Sequence, residues 1–386
     1  MPLNLTNRDV TIFGFPNLIS IFMILKRITL EMRLIYLLLL TVVGLKTCDA
    51  SKVSCKDENG KDVDWWHMYL LHRYGNDGPG HRYLYVTSND YGEWKLSNNL
   101  MGDYNSLPER TLNPLFKNDD ILFAAYNEEF PNGTTFDKGG AAKGVIASDG
   151  DTGMWLVHSI PQYPKMSSDP SSLGEYGHSL LCLTLDVKGV EKVGDLLVLY
   201  EPHFYYKRNP LALNKFPKLN RALHQVWHTD GVLEKDVELR TLDGEEFRLF
   251  GRNANSQKEL YADIIAPALD VSLFVRTNHP TYSKDNMPSI CYNSNMVLNV
   301  DDVVCPQSLN VHKYISSSGD HSKWAVSAEN GFKLFDWRIW GSDWICVGDL
   351  NRWETHQSRG GGAVCHKSSR VTDLYRKMVH SYEKCS

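Results

Sequence analysis

The sequence lacks Cys-x-x-Cys pairs and has no cluster of histidines at the spacing of metal ligands. A zinc site is therefore not expected, because structural zinc sites use closely spaced ligands of these types. The apolar run at residues 34–45 is too short to span a bilayer, which takes about 20 residues. A hydrophobic content of 42% with 11% aromatic residues indicates a folded globular protein rather than a disordered one.

The first fifty residues have the pattern of a secretory signal. Arg33 supplies the positive start, residues 34–45 the apolar centre, and Cys48-Asp49-Ala50 a cleavage site of small residues. Met32 is the expected natural start, and the residues before it are an alternative start or an extension of the gene model. The alternative is a signal anchor made of both apolar runs. The pattern favours removal of residues 1–50 and secretion.

Residues 51–386 then form the mature chain. Its 336 residues are enough for one large core, or for two halves that share one. Seven cysteines in a secreted chain allow up to three disulfides and leave one thiol over. A glycosylation acceptor, Asn132-Gly133-Thr134, fits the secretory route. The mature cysteines are Cys55, Cys182, Cys291, Cys305, Cys346, Cys365 and Cys385.

The charge of the mature chain depends on its histidines. It carries 36 Lys and Arg against 43 Asp and Glu, a net charge of −7, and all 14 histidines lie in it. Full protonation of the imidazoles would change this to +7. Since a histidine has an ordinary pKa of about 6.5, the reversal is expected between neutral pH and a lysosomal pH near 5. DNA would then be attracted in acid, unless the histidines are merely scattered over the surface.

Two short segments in the first half predict a hairpin that places functional side chains together. Residues 143–147 and 154–158 have the composition of strands, and a turn at residues 148–153 joins them. Antiparallel pairing of the two brings Lys143 close to His158.

Alternating strands and helices in two comparable halves indicate a mixed α/β protein. Ser256 and Glu259 have the spacing of a capping box, so a helix is predicted over residues 256–266, with Pro267 as its stop. Residues 190–199 are predicted to be a helix that runs into a strand. Further strands are predicted at residues 63–70, 83–86, 121–126, 179–185 and 271–277, and a hairpin at residues 239–251 around Asp243-Gly244.

Residues 202–217 are predicted to form a loop. Its run from Phe204 to Arg208 combines aromatic and basic side chains, which can stack on bases and contact phosphates. The alternative is that these rings pack within the protein. Residues 332–344, rich in Trp and Phe, have the same two interpretations: a packed aromatic loop or an insertion that faces the substrate.

The segment Gly319-Asp320-His321-Ser322-Lys323-Trp324 carries the most specific chemistry in the chain. A His and a Lys two residues apart on an extended segment point to the same side. This arrangement suits one phosphate: the imidazole can attack phosphorus or donate a proton, while the ammonium holds an oxygen as a point charge.

These residues and four further motifs resemble the deoxyribonuclease II family. The C-terminal motifs are residues 320–324, then 346–352 (Cys-Val-Gly-Asp-Leu-Asn-Arg) and 359–362 (Arg-Gly-Gly-Gly). The N-terminal motifs are residues 140–145 (Gly-Ala-Ala-Lys-Gly-Val) and 155–161 (Trp-Leu-Val-His-Ser-Ile-Pro). The resemblance extends from about Cys55 to Cys385.

The resemblance implies a fold like that of the phospholipase D superfamily, with two pseudo-twofold related halves, each a mixed sheet flanked by helices. The halves would be residues 51–200 and 201–386. No repeat is visible in the letters, so this expectation rests mainly on the family. The family also implies disulfides Cys55–Cys182 and Cys346–Cys365, and leaves Cys385 to pair with Cys305 or Cys291.

In the family mechanism one histidine attacks phosphorus and a partner histidine protonates the departing 5′-oxygen, with no metal and no cofactor. His321 is implied as nucleophile or acid, Lys143 and Lys323 as phosphate-neutralising groups, and Asn351 as a phosphate ligand or ring-orienting group. The family pattern has another His-x-Lys before residue 144, where this chain has Ala141. His158, or an imidazole from elsewhere, would have to replace the missing one.

Three classes of function follow from the resemblance. The favoured one is an acid endonuclease that acts on double-stranded DNA without sequence preference, in lysosomes or outside the cell. The second is a homologue that binds DNA without cutting it. The third is a secreted interaction or structural protein on the same scaffold, which would neither cut DNA nor bind it more tightly in acid. Oligomeric state is not indicated by the sequence.

Overall fold

The computed structural model describes residues 52–73, 81–165, 175–210, 215–227, 231–280, 283–292, 294–309, 311, 314–328, 333–334, 337–338 and 343–385, with Arg27 and Met32. The chain divides into two compact units, Met1–Ser51 and Lys52–Ser386. Both described residues of the first unit are helical and exposed, and the predicted signal otherwise lies outside the described residues. No helix in the described part of the chain is both long and apolar enough to cross a bilayer.

The second unit begins with strands that form an eight-stranded antiparallel sheet and a small separate ladder, β1 with β2. The strands are β1 Cys55–Lys56, β2 Asp62–Val63, β3 Trp65–Leu70, β4 Tyr83–Thr87, β5 Asp90–Leu96, β6 Leu122–Tyr126, β7 Gly144–Ser148, β8 Thr152–His158, β9 His178–Asp186 and β10 Phe204–Arg208. The sheet order is β10-β6-β7-β8-β9-β3-β4-β5. β9 is central, and its nearly unbroken apolar run is buried along almost its whole length.

The later strands form a nine-stranded mixed sheet, again with a separate two-stranded ladder, β17 with β18. They are β11 Glu234–Arg240, β12 Glu246–Arg252, β13 Leu273–Arg276, β14 Val297–Val304, β15 Tyr314–Ser316, β16 Trp324–Ser327, β17 Lys333–Leu334, β18 Trp337–Arg338, β19 Trp344–Gly348, β20 Gly361–Lys367 and β21 Val379–Tyr382. The order is β11-β12-β20-β19-β16-β13-β14-β15, with β21 also on β14, and only β13 and β14 run parallel.

One helix connects the two sheets. The helices are α1 Leu107–Phe116, α2 Val187–Tyr200, α3 Pro217–Leu223, α4 Ala266–Leu269 and α5 Ser369–Arg376, with a π-helix at Leu260–Ile265. α2 starts at Asp186, whose carboxylate accepts the Gly189 N–H. It packs against β8 and β9 of the first sheet and β11, β12 and β20 of the second. The largest apolar cluster therefore contains Leu183 of β9, Leu197 of α2 and Val347 of β19 together.

The two sheets also meet through isolated parallel bridges. Gly140 pairs with Gly360, and Gly177 pairs with Asp320. The first approach requires glycine, because a Cβ on Gly360 would lie 2.2 Å from the carbonyl oxygen of Tyr200. These bridges bring the segments before β7 and before β16 close to strands of the opposite sheet.

Most predicted strands and both hairpins are confirmed, but three predictions are wrong in detail. Residues 190–199 are helical throughout, as part of α2, because their apolar positions fall on its buried face. The predicted loop at 202–217 contains β10, which pairs with β6. The helix predicted over 256–266 starts at Leu260, with Glu259 as its cap, and Pro267 lies in the first turn of α4 rather than after it.

The alternative that the rings of β10 pack within the protein is supported by their contacts. Phe204 is buried, Tyr205 donates its hydroxyl hydrogen to the Pro164 carbonyl, and Arg208 donates to the carbonyls of Leu115 and Phe116. A guanidinium committed to carbonyls of its own chain is not free to hold a phosphate. Of the other aromatic run, 332–344, most lies outside the described residues.

Three disulfides are present among the described cysteines: Cys55–Cys182, Cys346–Cys365 and Cys291–Cys385. The first two are the pairs expected from the family. The third settles the partner of Cys385, and Cys305 is a buried free thiol. Burial raises the pKa of that thiol to about 12, so Cys305 is unreactive in the folded protein.

Candidate active site

Two buried lysines lie at equivalent positions in the two sheets. Lys143 directly precedes β7 and Lys323 directly precedes β16, and each is almost fully buried. Lys143 Nζ donates to the Ala141 carbonyl at 3.2 Å, and Lys323 Nζ donates to the His321 carbonyl at 3.3 Å. Burial and the charge of Lys143 lower the pKa of Lys323 to about 8. A bound anion would relieve this repulsion between the two ammonium groups.

Glu128 is the counter-ion of this cationic centre. Its carboxylate forms an ion pair with Lys143 and a second one with Arg359, at 2.8 Å. Burial alone would raise the pKa of Glu128, but the charges of Lys143 and Arg359 outweigh it and lower the pKa to about 2. Arg359 also donates to the carbonyls of Gly139 and Gly140, so it ties the glycine motif to the segment before β7.

His321 is the least buried imidazole of the centre. Its backbone N–H donates to the Gly177 carbonyl at 2.8 Å, and its ring stacks on Tyr176 at 3.9 Å between centroids. Neither ring nitrogen of His321 has a hydrogen-bond partner among the described residues. Burial, followed by the charge of Lys323, lowers the pKa of His321 to about 4. The ring is therefore neutral and nucleophilic over most of the acid range.

His158 lies where the predicted hairpin places it. Its backbone N–H donates to the Lys143 carbonyl at 3.3 Å, which confirms the predicted proximity of the two residues. The ring is completely buried, and its Nδ1 accepts the Ile160 N–H at 3.2 Å. Nε2 is buried with no partner in the described residues. Burial and the charge of Lys143 lower the pKa of His158 to about 3.

A third imidazole, His178, was not predicted from the sequence. It starts β9, is almost fully buried, and contacts the His321 ring edge to face, with 5.9 Å between centroids. Its Nδ1 lies 3.0 Å from Ser159 Oγ. Burial, then the neighbouring His321 and Lys323, lower the pKa of His178 well below its usual range.

A fourth imidazole, His356, was also missed. Its Nδ1 accepts the backbone N–H of Asn351 at 3.0 Å, while the side-chain oxygen of Asn351 accepts the Asn278 N–H at 3.2 Å. Asn351 thus orients an imidazole through its backbone rather than its side chain. Burial, opposed by the charge of Glu128 and assisted by the charges of Lys323 and Lys143, lowers the pKa of His356 to about 3.

Asp349 completes the centre. It accepts the Lys143 backbone N–H at 3.3 Å and the Gly362 N–H at 3.4 Å. Burial raises the pKa of Asp349 to about 7, so near pH 5 this carboxyl is mostly protonated. In the described residues no three His, Cys, Asp or Glu side chains are grouped so as to hold a metal ion.

Known proteins are similar to this chain over most of its length. The family model described as deoxyribonuclease II matches residues 54–385. Plancitoxin-1 of Acanthaster planci is 30% identical over 91% of this chain and 97% of its own length. Cell death-related nuclease 6 of Caenorhabditis elegans is 29% identical over 91% of this chain and 93% of its own, and human deoxyribonuclease-2-beta is 28% identical over 91% and 96%. The chain belongs to the deoxyribonuclease II family.

In this deoxyribonuclease II family member, Ala141 lies in a closed environment. It is completely buried and belongs to an apolar cluster with Phe250, Tyr261 and Leu350. Its N–H donates to the Gly360 carbonyl at 2.8 Å. A larger side chain at this position would have to displace its neighbours or point toward Lys143.

The disulfides and the deoxyribonuclease II relationship together suggest the secretory pathway.

The charge reversal predicted from the number of histidines is too large. Burial lowers the pKa of six of the 14 histidines: His67, His158, His178, His321, His356 and His366. If these six stay neutral while no DNA is bound, the mature chain reaches only about +1 in acid instead of +7. Attraction of DNA would then depend on local charge at the site.

The tertiary fold places His178, His356 and Glu128, which were not predicted from the sequence, beside the two lysines. His178 and His356 were not singled out because neither has a lysine two residues on, although His356 lies between the motifs at 346–352 and 359–362. His178 is placed near the lysines by the bridge between Gly177 and Asp320, and His356 by the folded segment after β19. Glu128 is directly followed by Glu129, and the sequence does not show which of the two carboxylates pairs with Lys143.

Proposed function

We propose that this protein is an acid, metal-independent endodeoxyribonuclease that hydrolyses phosphodiesters of double-stranded DNA to 3′-phosphate ends through histidine chemistry. The observation that carries the proposal is the neutral, half-buried ring of His321 beside Lys323 and Lys143. A phosphate between the two ammonium groups has its oxygens neutralised and its phosphorus presented to an imidazole. The substrate class comes from the deoxyribonuclease II family.

The roles in this proposal follow the geometry. His321 is the nucleophile, because its ring nitrogens are free of hydrogen bonds within the described residues. Lys323 and Lys143 hold the equatorial oxygens, with Glu128 keeping Lys143 in place. His158 donates its Nε2–H to a phosphate oxygen, since that atom is buried without another partner in the described part of the chain. Asn351 holds the ring of His356.

We also infer the finer architecture from the two bridges. Gly140 precedes Ala141-x-Lys143 and pairs with the residue before β20; Asp320 precedes His321-x-Lys323 and pairs with the residue before β9. Reciprocal pairing of this kind is what a phospholipase D-like pseudo-twofold of two halves, 51–200 and 201–386, would produce. The expected setting is a lysosome or the secreted space, where the protein would degrade engulfed, apoptotic or extracellular DNA.

A second candidate is a homologue that binds DNA without cutting it, and the buried Ala141 favours it. Loss of a general acid costs about 10²–10⁴ in rate, whereas loss of a nucleophile costs on the order of 10⁶. The binder would keep the lysines and lose turnover. It predicts DNA retention at pH 5 with no cleavage.

Plasmid cleavage by the secreted protein at about pH 5 in excess EDTA tests the proposal, beside His321→Ala and Ala141→His. We expect the wild type to cleave the plasmid and to leave 3′-phosphate ends. We expect His321→Ala to abolish this cleavage. No cleavage by the wild type, with acid-dependent DNA binding that Lys323→Gln weakens, would establish the binder instead. Because Ala141 is packed on all sides, Ala141→His is informative only if its melting transition matches the wild type.

A further inference from the structure

The four imidazoles of the centre differ in what their Nδ1 atoms contact. Nδ1 of His158 and Nδ1 of His356 each accept a backbone N–H, from Ile160 and Asn351. A backbone amide can only donate, so both Nδ1 atoms must be unprotonated. Each ring is therefore held in the neutral form with its proton on Nε2. Forming an imidazolium at either site would break a buried hydrogen bond.

His178 is not restricted in this way. Its Nδ1 contacts the hydroxyl of Ser159, which can donate or accept. The Ser159 oxygen already accepts the Ser179 N–H at 3.1 Å, so the hydroxyl is fixed in position while its hydrogen can rotate. His178 can therefore gain and lose a proton without leaving a buried amide unpaired.

His178 is also the imidazole that contacts His321. The two rings meet edge to face at an interplanar angle of 86°. The next residue, Ser179, exchanges two hydrogen bonds with the backbone of Lys323, at 3.0 and 3.3 Å. This pairing fixes the start of β9 against the His-x-Lys segment, so the two rings and the Lys323 ammonium keep their relative positions.

We propose that His178 is the second proton-transferring imidazole of the reaction, in the role that the family pattern gives to the histidine absent at Ala141. This inference rests on the proposed nuclease function. Nε2 or Nδ1 of His321 attacks phosphorus; a P–N bond forms, and the P–O5′ bond breaks with its electron pair going to O5′. The His178 imidazolium gives its proton to O5′, leaving a neutral ring and a 5′-hydroxyl.

In the second step, neutral His178 takes a proton from water as the water oxygen attacks phosphorus. The P–N bond breaks and returns its electron pair to His321, so the 3′-phosphate is released and His178 is again an imidazolium. Burial disfavours this cation most, followed by His321, Lys323, His158 and Lys143. A bound phosphodiester anion offsets them, and low pH supplies the proton, which agrees with an acid enzyme.

A substrate whose 5′-bridging oxygen is replaced by sulfur separates this role from a structural one. A thiolate leaves without protonation, so loss of a general acid matters for the oxygen substrate only. His178→Asn keeps a polar atom near Ser159 and should cut the oxygen substrate 10²–10⁴-fold more slowly. With enzyme in excess and thiol release as the readout, only the first step is followed, and His178→Asn should cleave the sulfur substrate within tenfold of the wild type. His178→Gln should show the same rescue.

The controls are His380→Asn, an exposed histidine on β21, and His321→Ala. The first should cut both substrates as the wild type does; the second should cut neither. His178→Asn overturns the inference if it cuts the oxygen substrate within fivefold of the wild type, or if it loses both substrates equally while its melting transition is unchanged. If the wild type cuts neither substrate at any pH, the proposed function itself fails.

Discussion

The ring of His321 lies flat against the ring of Tyr176, with 3.9 Å between centroids and an angle of 11° between planes. Tyr176 is 43% exposed, whereas the rest of the centre is nearly closed. The tyrosine covers one face of the proposed nucleophile and leaves its edges open. It thereby limits the rotation of a ring that has no hydrogen bond of its own in the described residues.

Removing this stacked ring should slow cleavage moderately. Aromatic stacking contributes about 0.5–1.5 kcal/mol, so we expect Tyr176→Ala to lower kcat/KM roughly three- to tenfold at pH 5. Tyr176→Phe keeps the ring and should remain within about twofold of the wild type. Initial rates of plasmid nicking measure both. Equal losses in the two variants would instead implicate the hydroxyl.

Glu128→Gln should destabilise the protein strongly. It leaves Lys143 and Arg359 buried without their counter-ion, and breaking a buried ion pair costs about 3–5 kcal/mol. Because the pKa of Glu128 is lowered to about 2, its contribution is complete above about pH 4.5 and is lost only as pH falls toward 2. Urea unfolding should show the same deficit at pH 7 and pH 5.

The neighbouring Glu129 provides the matched control for that variant. Its carboxylate makes no hydrogen bond or ion pair with the described residues, so Glu129→Gln should change the free energy of unfolding by less than about 0.5 kcal/mol. A Glu128→Gln protein as stable as this control would mean that the ion pair is not maintained in solution.

Acid should destabilise the fold through its buried histidines. His158 has an ordinary pKa of 6.5 when unfolded and about 3 when folded, so the unfolded chain binds more protons between these values. Its contribution to stability is complete above pH 6.5 and falls by about 2 kcal/mol on going to pH 5. His158→Asn, which does not titrate, should therefore lose about 2 kcal/mol less than the wild type between pH 7 and pH 5.

Urea unfolding at several pH values measures this slope. The exposed His380→Asn is the control and should follow the wild type. An unchanged slope in His158→Asn would show that the ring is already protonated in the folded protein at pH 5.

The disulfide pattern gives a chemical prediction. Peptide mapping without reduction should find Cys291 linked to Cys385, with Cys305 alkylated only after unfolding. Replacing Cys291 and Cys385 by Ser should cost about 2–5 kcal/mol, because the bridge closes a long loop. Cys305→Ala is the matched control and should cost much less. A peptide linking Cys305 to Cys385 would contradict the structure.

Local sequence patterns were sufficient to predict part of the candidate active site. Residues 143–147 and 154–158 are two apolar strand segments joined by a short polar turn, so the closeness of Lys143 and His158 could be predicted. The sequence could not show whether Ser256 caps a helix. Its Oγ donates to the carboxylate of Glu234 on β11, a contact that only the tertiary structure creates. Tertiary contacts overrode the local signal there.

The sequence alone determined the His-x-Lys segment at His321 and the resemblance to the family, because both depend on residue types in short motifs, and the resemblance in turn implied the disulfides Cys55–Cys182 and Cys346–Cys365. Only the tertiary structure decided the partner of Cys385, the ion pair of Lys143 with Glu128, and the presence of His178 and His356 beside the lysines. The reason is physical: each of these contacts joins separate segments of the folded chain, and His178 reaches His321 where Gly177 pairs with Asp320 between the two sheets. No local pattern encodes such a meeting.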